Sequence, residues 1–163
     1  MRFLFVFGLL VACSAVVAFP SEPKPDRSGP PEVRAYNEGV ALIEGGRFSS
    51  AAGRFRAALA GNKDFAEAHN NLGYALRQQG PEFYDEALEH YNRAIELNPL
   101  LAEAYMYRGA LFVKMDRLES AERDLIALRM LRPALAVQLM HVMRDGEDHL
   151  LEEYLGVSPR KDL

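Results

Sequence analysis

A chain of 163 residues, 49% of them apolar and without tryptophan, supports one domain with short extensions and no more. Its formal charge of −4 comes without a basic patch, which argues against a nucleic-acid partner. One cysteine excludes an intrachain disulfide, so the fold must rest on packing alone.

The first 18 residues read as a leader. Met1 and the basic Arg2 precede an apolar run from Phe3, and Val16-Val17-Ala18 fits the small-residue cleavage pattern of an export signal. The expectation is an exported protein, periplasmic or secreted. The apolar run is short of the about 20 residues a membrane-spanning helix needs, which places an uncleaved anchor second to cleavage after Ala18. Cys13, in Leu10-Val11-Ala12-Cys13, resembles the lipobox of bacterial lipoproteins, where lipid on the thiol would hold the chain to a membrane. Against that, few apolar residues precede Cys13 and the run continues through Phe19, so cleavage and lipidation both stay open. Residues 19–31, FPSEPKPDRSGPP, hold five prolines and almost nothing apolar. Such a segment cannot bury a core and is expected to be an extended linker, reaching roughly 40 Å in the polyproline conformation.

Three copies of one pattern follow, over residues 32–65, 66–101 and 102–135. The aligned positions are Ala35, Glu38, Gly39, Leu42, Ala51, Phe55 and Ala58; then His69, Leu72, Gly73, Leu76, Ala87, Tyr91, Ala94 and Pro99; then Tyr105, Arg108, Gly109, Phe112, Ala121, Leu125, Leu128 and Pro133. The glycines recur at intervals of 34 and 36 residues, the period of a solenoid whose units bury their apolar faces against each other. In each copy a glycine on the first helix and an alanine on the second allow close helix approach. A large residue four positions on and an apolar one three further give the stripe of a half-buried helix. Pro99 and Pro133 mark breaks between units, because proline cannot continue a helix. The first copy has Lys63 in place of a closing proline, and the second has two extra residues in its inter-helix turn around Gly80 to Phe83.

These residues resemble the signature of the tetratricopeptide repeat family, of a bacterial exported type. The resemblance spans residues 32–135 and is strongest in FAEAHNNLGYALRQQG and YDEALEHYNRAIELNP of the second copy. It implies an all-α fold: a right-handed superhelical array of three helical hairpins, an α-solenoid, with C-terminal capping helices over residues 136–163. It also implies a concave groove lined by the first helices. Carried onto this chain, the groove positions include Tyr36, Val40, Ile43, Asn70, Tyr74, Arg77, Met106, Val113 and Lys114, with Asn71 beside them. Flat or deformable side chains such as Tyr36, Tyr74 and Met106 suit the side chains of a bound segment, while Asn70 and Arg77 suit its backbone or an acidic group. The implied partner is a peptide or helix of an envelope protein, with Tyr74 and Arg77 standing clear of the core. One branch of the family grips a C-terminal carboxylate with lysines, asparagines and an arginine. The matching positions here are Tyr36, Val40, Asn71, Glu103 and Tyr107; only Asn71 agrees, so no carboxylate clamp is expected.

After Pro133, the apolar residues Leu135, Val137, Leu139, Met140 and Met143 predict a capping helix ending before Gly146. A second short helix is expected from Glu147 to Tyr154. Exposed Leu150, Leu151 and Leu155 there would favour an alternative role, self-association through the C-terminal helices. Chemistry is sparse. The histidines His69 and His90 read as a packed residue and an outer-helix residue. His141 and His149 flank Asp145-Gly146-Glu147-Asp148, a remote candidate for a metal-dependent enzyme, but the spacing fits no zinc or calcium pattern. No phosphate loop or nucleophile constellation is present. The expectation is a non-catalytic binding scaffold without cofactor or metal.

Overall fold

A computed structural model describes residues 29–146. Seven α-helices run through them: α1 (Pro31–Glu44), α2 (Phe48–Gly61), α3 (Ala66–Arg77), α4 (Tyr84–Leu97), α5 (Ala102–Lys114), α6 (Leu118–Leu131) and α7 (Pro133–Asp145). They pair as the hairpins α1–α2, α3–α4 and α5–α6, stacked in chain order, and α7 closes the far end against both α5 and α6. The all-α array of three stacked hairpins with a C-terminal cap is therefore present. The leader, Cys13, most of the linker and the expected helix from Glu147 lie outside the described residues.

Local chemistry explains the boundaries. Pro31 and Pro133 each occupy a first-turn position of their helices, where the missing N–H costs nothing and the fixed φ is already helical. Pro133 thus opens α7 as well as ending α6, with Arg132 alone, in an extended conformation, between them. The α1–α2 turn places Gly46 at φ +68°, and the N–H of Arg47 reaches back to the carbonyl of Leu42 at 2.8 Å. The α5–α6 turn repeats this with Asp116 at φ +57° and Arg117 bonding Phe112 at 2.8 Å. Both are left-handed closures of a helix end, which favour glycine and tolerate aspartate. The two extra residues of the second hairpin form a short 3-10 turn, Pro81–Phe83.

Between hairpins, the missing proline of the first repeat has a substitute. The Asn62 side chain accepts from the Asp64 N–H at 3.0 Å, as Asn98 does from the Leu100 N–H at 3.1 Å. An asparagine that bonds its own backbone two residues on turns the chain whether Lys63 or Pro99 follows it.

The core runs the length of the array, from Tyr36, Phe55 and Ala51 through Leu72, Leu76 and Tyr91 to Met106, Leu111, Leu128 and Leu139, all fully buried or nearly so. Ala87 and Ala121 are likewise buried where the second helices approach the first. The signature glycines show why they are glycine. A Cβ on Gly39 would lie 2.6 Å from the Phe55 ring, and one on Gly73 would lie 3.0 Å from the Tyr91 ring. In the third repeat the constraint has a different source. A Cβ on Gly109 would meet Leu139 of α7 at 2.6 Å, so this glycine makes room for the cap and not for Leu125.

Candidate functional site

The first helices α1, α3 and α5 form one row. On α3 the residues Asn70, Asn71, Tyr74 and Arg77 share a stripe by helical spacing. The stripe meets both neighbours in the row. The Asn71 amide donates to the Tyr36 hydroxyl of α1 at 3.0 Å, and Asn70 donates to the Asn71 oxygen at 3.1 Å. Toward α5, Tyr74 meets Tyr107 edge-on with ring centroids 5.5 Å apart. The Arg77 guanidinium lies over both rings, at 5.5 Å from Tyr74 and 5.8 Å from Tyr107. Tyr74 also touches Phe48 at the start of α2, and Gln78 donates to its hydroxyl at 3.1 Å. Burial pushes the Tyr107 hydroxyl far above the usual phenol range, with Tyr91 adding to it and Arg77 opposing, so it stays protonated.

The structure therefore brings most of the expected groove residues together, and it withdraws them from solvent. Tyr36, Val40, Ile43, Asn70, Asn71 and Met106 are buried. Tyr74 and Arg77, expected to stand clear of the core, are each only 3% exposed. The correction has a physical cause: with aromatic rings packed on both sides, the guanidinium of Arg77 is held between the repeats as part of their contact. Val113 is half-buried and Lys114 exposed at the end of α5. Glu103, the residue at odds with a carboxylate clamp, is bound to Arg132 at 2.5 Å.

Two polar contacts tie first helices to second helices at equivalent positions. In the first repeat Glu38 pairs with Arg54 at 3.2 Å, both exposed. In the third the polarity is reversed: Arg108 makes two bonds to Asp124, at 3.0 and 2.6 Å, and a third to Asn92 of α4 at 2.8 Å. Desolvation raises the Asp124 carboxyl, against the bonds and charge of Arg108.

A contact that sequence reading missed lies in the second repeat. His69 on α3 and His90 on α4 approach with their Nδ1 atoms 2.9 Å apart. The remaining histidine in the described residues, His141, contacts Arg144, whose guanidinium binds Asp145. Asp145, the first residue of the acidic stretch, is thus engaged, and His149 lies outside the described residues. Among the described residues no group of three or more His, Cys, Asp or Glu side chains is placed to hold a metal ion. None of the described helices is long and apolar enough to cross a membrane.

A separate open cleft of about 670 Å³ is lined by Glu38, Ala41, Leu42, Gly45, Arg47, Ser50 and Arg54. It belongs to α1, α2 and their turn, on the opposite side of α1 from Tyr36, Val40 and Ile43.

The stacked-hairpin array has the register that a resemblance to tetratricopeptide repeats implies. Residues 36–80 match a family model described as tetratricopeptide repeat, and residues 84–116 match one described as TPR repeat. Among curated proteins, the chain is 39% identical over 61 residues to a UDP-N-acetylglucosamine–peptide N-acetylglucosaminyltransferase of Giardia intestinalis, covering 37% of this chain and 4% of that protein. It is 27% identical over 96 residues to the protein O-mannosyl-transferase TMTC3 of Homo sapiens, covering 59% of this chain and 10% of that protein. The chain thus spans no more than a tenth of the length of these relatives. A solved chain of the CopN-Scc3 complex superposes with a TM-score of 0.58 at 20% identity, over 71% of this chain and 68% of that one, which establishes the fold. The two repeat-model matches suggest a scaffold for protein–protein interaction.

Proposed function

We propose that this protein is a non-catalytic adaptor that holds a peptide or a single helix of an envelope partner along the row of α1, α3 and α5. The observation that supports the reading is the continuous set of amide, aromatic and guanidinium groups on that row, from Tyr36 through Asn71, Asn70 and Tyr74 to Arg77 and Tyr107. Buried polar groups are costly unless bonded, and packing alone would be served by apolar residues at these positions. Because the set is withdrawn from solvent, a partner must exchange the bonds these groups make for bonds of its own. Met106 and Val113 would supply deformable apolar contact, and Lys114 a cation at the end of the row.

The test is selection of binders from a random peptide library on the purified protein, followed by affinity measurement on Arg77→Met, which keeps side-chain volume but removes the donors. Selected peptides that share a pattern and bind the variant at least tenfold more weakly support the reading. Peptides indifferent to Arg77→Met and to Lys114→Ala overturn it.

The proposed site of action is outside the cytoplasm, in a periplasm or as a secreted protein, on the basis of the leader ending at Ala18 and the proline-rich linker. The intact mass of the mature chain separates cleavage after Ala18 from lipid on Cys13. A second reading, self-association through the C-terminal helices, draws support from exposed apolar side chains on α6 and α7: Ile126, Met130, Val137 and Met140, with Met130 84% exposed. Light scattering of the wild type against Met130→Lys distinguishes it.

A further inference from the structure

The histidine pair of the second repeat has a geometry that ordinary helix packing does not require. The two rings lie 5.2 Å apart, tilted by 34°, with Nδ1 facing Nδ1 at 2.9 Å. One outer nitrogen has an acceptor within hydrogen-bond distance and the other faces a carboxylate beyond it. His69 Nε2 is 3.0 Å from the Lys63 carbonyl oxygen, which can only accept, so His69 carries its proton on Nε2 and presents a bare Nδ1. His90 Nε2 faces the Glu86 carboxylate at 4.0 Å. A proton on that nitrogen favours the carboxylate but leaves two Nδ1 lone pairs pointing at each other. A proton on His90 Nδ1 bridges the rings but turns a lone pair toward Glu86. Neither neutral arrangement suits both the Nδ1 contact and the negative charge of Glu86. A cation between the two Nδ1 atoms, with the Nε2 proton of His90 turned toward Glu86, suits both.

We propose that His69 and His90 form a two-histidine site for a late first-row divalent ion, for which Zn²⁺ is the probe, with both Nδ1 atoms as ligands and water in the remaining positions. Zinc–imidazole bonds of about 2.0–2.1 Å at a tetrahedral angle require the nitrogens about 3.3 Å apart, so the rings need open by only about 0.4 Å. Half of the outer shell is already in place, since metal-bound histidines characteristically donate their other N–H to a backbone carbonyl or a carboxylate: the Lys63 carbonyl takes that role for His69 at 3.0 Å, and Glu86 lies 4.0 Å from His90 Nε2. Imidazole nitrogen selects zinc, copper or nickel over magnesium and calcium. Surrounding charge is close to balanced: Arg56 binds Glu86 at 2.7 Å, and Arg93 binds Asp64 at 2.8 Å and Glu96 at 3.2 Å.

With two protein ligands the site retains open positions, so a bound ion could accept a further donor from a partner. The experiment is calorimetric titration of untagged full-length protein with ZnCl₂ at pH 7.5. One equivalent is expected to bind, at least tenfold more weakly in His69→Asn and in His90→Asn and unchanged in His141→Asn. No binding, binding unaltered in His90→Asn, or binding lost in His141→Asn overturns the proposal. Nitrogen-15 spectra of the wild type give a readout that depends on no variant: two Nδ1 resonances, those of His69 and His90, should move together on adding zinc. Movement confined to other histidines overturns it equally.

Discussion

Gly39→Ala and Gly53→Ala make the same chemical change in two helices of one hairpin, and the structure gives them opposite signs. In a helix interior alanine is favoured over glycine by about 1 kcal/mol, and both sites receive that gain. At Gly53 a new Cβ meets nothing within 4 Å, so the gain stands alone. At Gly39 the Cβ would lie 2.6, 2.8 and 2.9 Å from three atoms of the Phe55 ring. Ordinary carbon contacts are about 3.5–4.0 Å, so the ring must retreat by about 1 Å. It has nowhere to go: Phe55 is fully buried and lies against Tyr36 with centroids 5.8 Å apart. Overpacking of this kind costs about 1–3 kcal/mol, and the short distances place Gly39 at the upper end. The net expectation is a loss of about 2 kcal/mol at Gly39 and a gain of about 1 kcal/mol at Gly53. At about 4 °C per kcal/mol for a domain of this size, the melting temperatures of the two variants should differ by about 12 °C. Circular dichroism at 222 nm on heating measures both. Gly73→Ala, where the nearest atoms are at 3.0 and 3.1 Å, should fall between them. The reasoning is refuted if Gly39→Ala melts at or above the wild type, or if Gly53→Ala melts below it.

Two further predictions concern the polar contacts between helices. Asp124→Ala removes two of the three bonds held by Arg108, whose side chain is only 19% exposed, and breaking a buried pair from one side costs about 3 kcal/mol. Replacing both partners by Leu and Met should recover most of that loss in urea unfolding, and a cost below about 1 kcal/mol for Asp124→Ala would show that the pair is surface-like. For the histidines, folded pKa values below the ordinary 6.5 mean that the unfolded chain binds more protons as pH falls. Their contribution is therefore complete above about pH 6.5 and is lost as pH drops toward His90's value of about 4. Urea unfolding at pH 7.5 and 4.5, with a chelator present, should show a shallower pH dependence in His90→Asn than in the wild type; equal dependence would refute the assignment.

The array itself was legible because its determinants are local and repeated. Gly39, Ala51 and Phe55 recur in register, and each fixes a helix-to-helix distance that any correct fold must honour. Boundaries were legible where proline or a left-handed turn sets them. The burial of Tyr74 and Arg77 was not, because helical spacing assigns a residue to a face and says nothing of how closely the neighbouring helix approaches that face. Gly109 was read in the right position with the wrong neighbour: the cap α7 reaches across to it, a contact between segments 30 residues apart that no single repeat contains.

The histidine pair marks the boundary between the two kinds of information. His90 precedes Tyr91 as Arg54 precedes Phe55 and Asp124 precedes Leu125, so all three occupy one position on the second helix. Two of them find an oppositely charged partner on the first helix, at Glu38 and Arg108. In the second repeat that partner position is Leu72, which is buried in the core and offers nothing polar. His90 must then find a partner elsewhere on α3, and the residue one turn earlier is His69, on the same face by helical spacing. The repeat register thus contained the signal that His90 faces α3. What it lacked was the closeness of α3 to α4, set by Gly73 against Tyr91 and Ala87. That closeness turns two facing imidazoles into a contact of 2.9 Å. A bulkier residue at position 73 should therefore separate the rings, so Gly73→Leu is expected to weaken any zinc binding even though no ligand is changed.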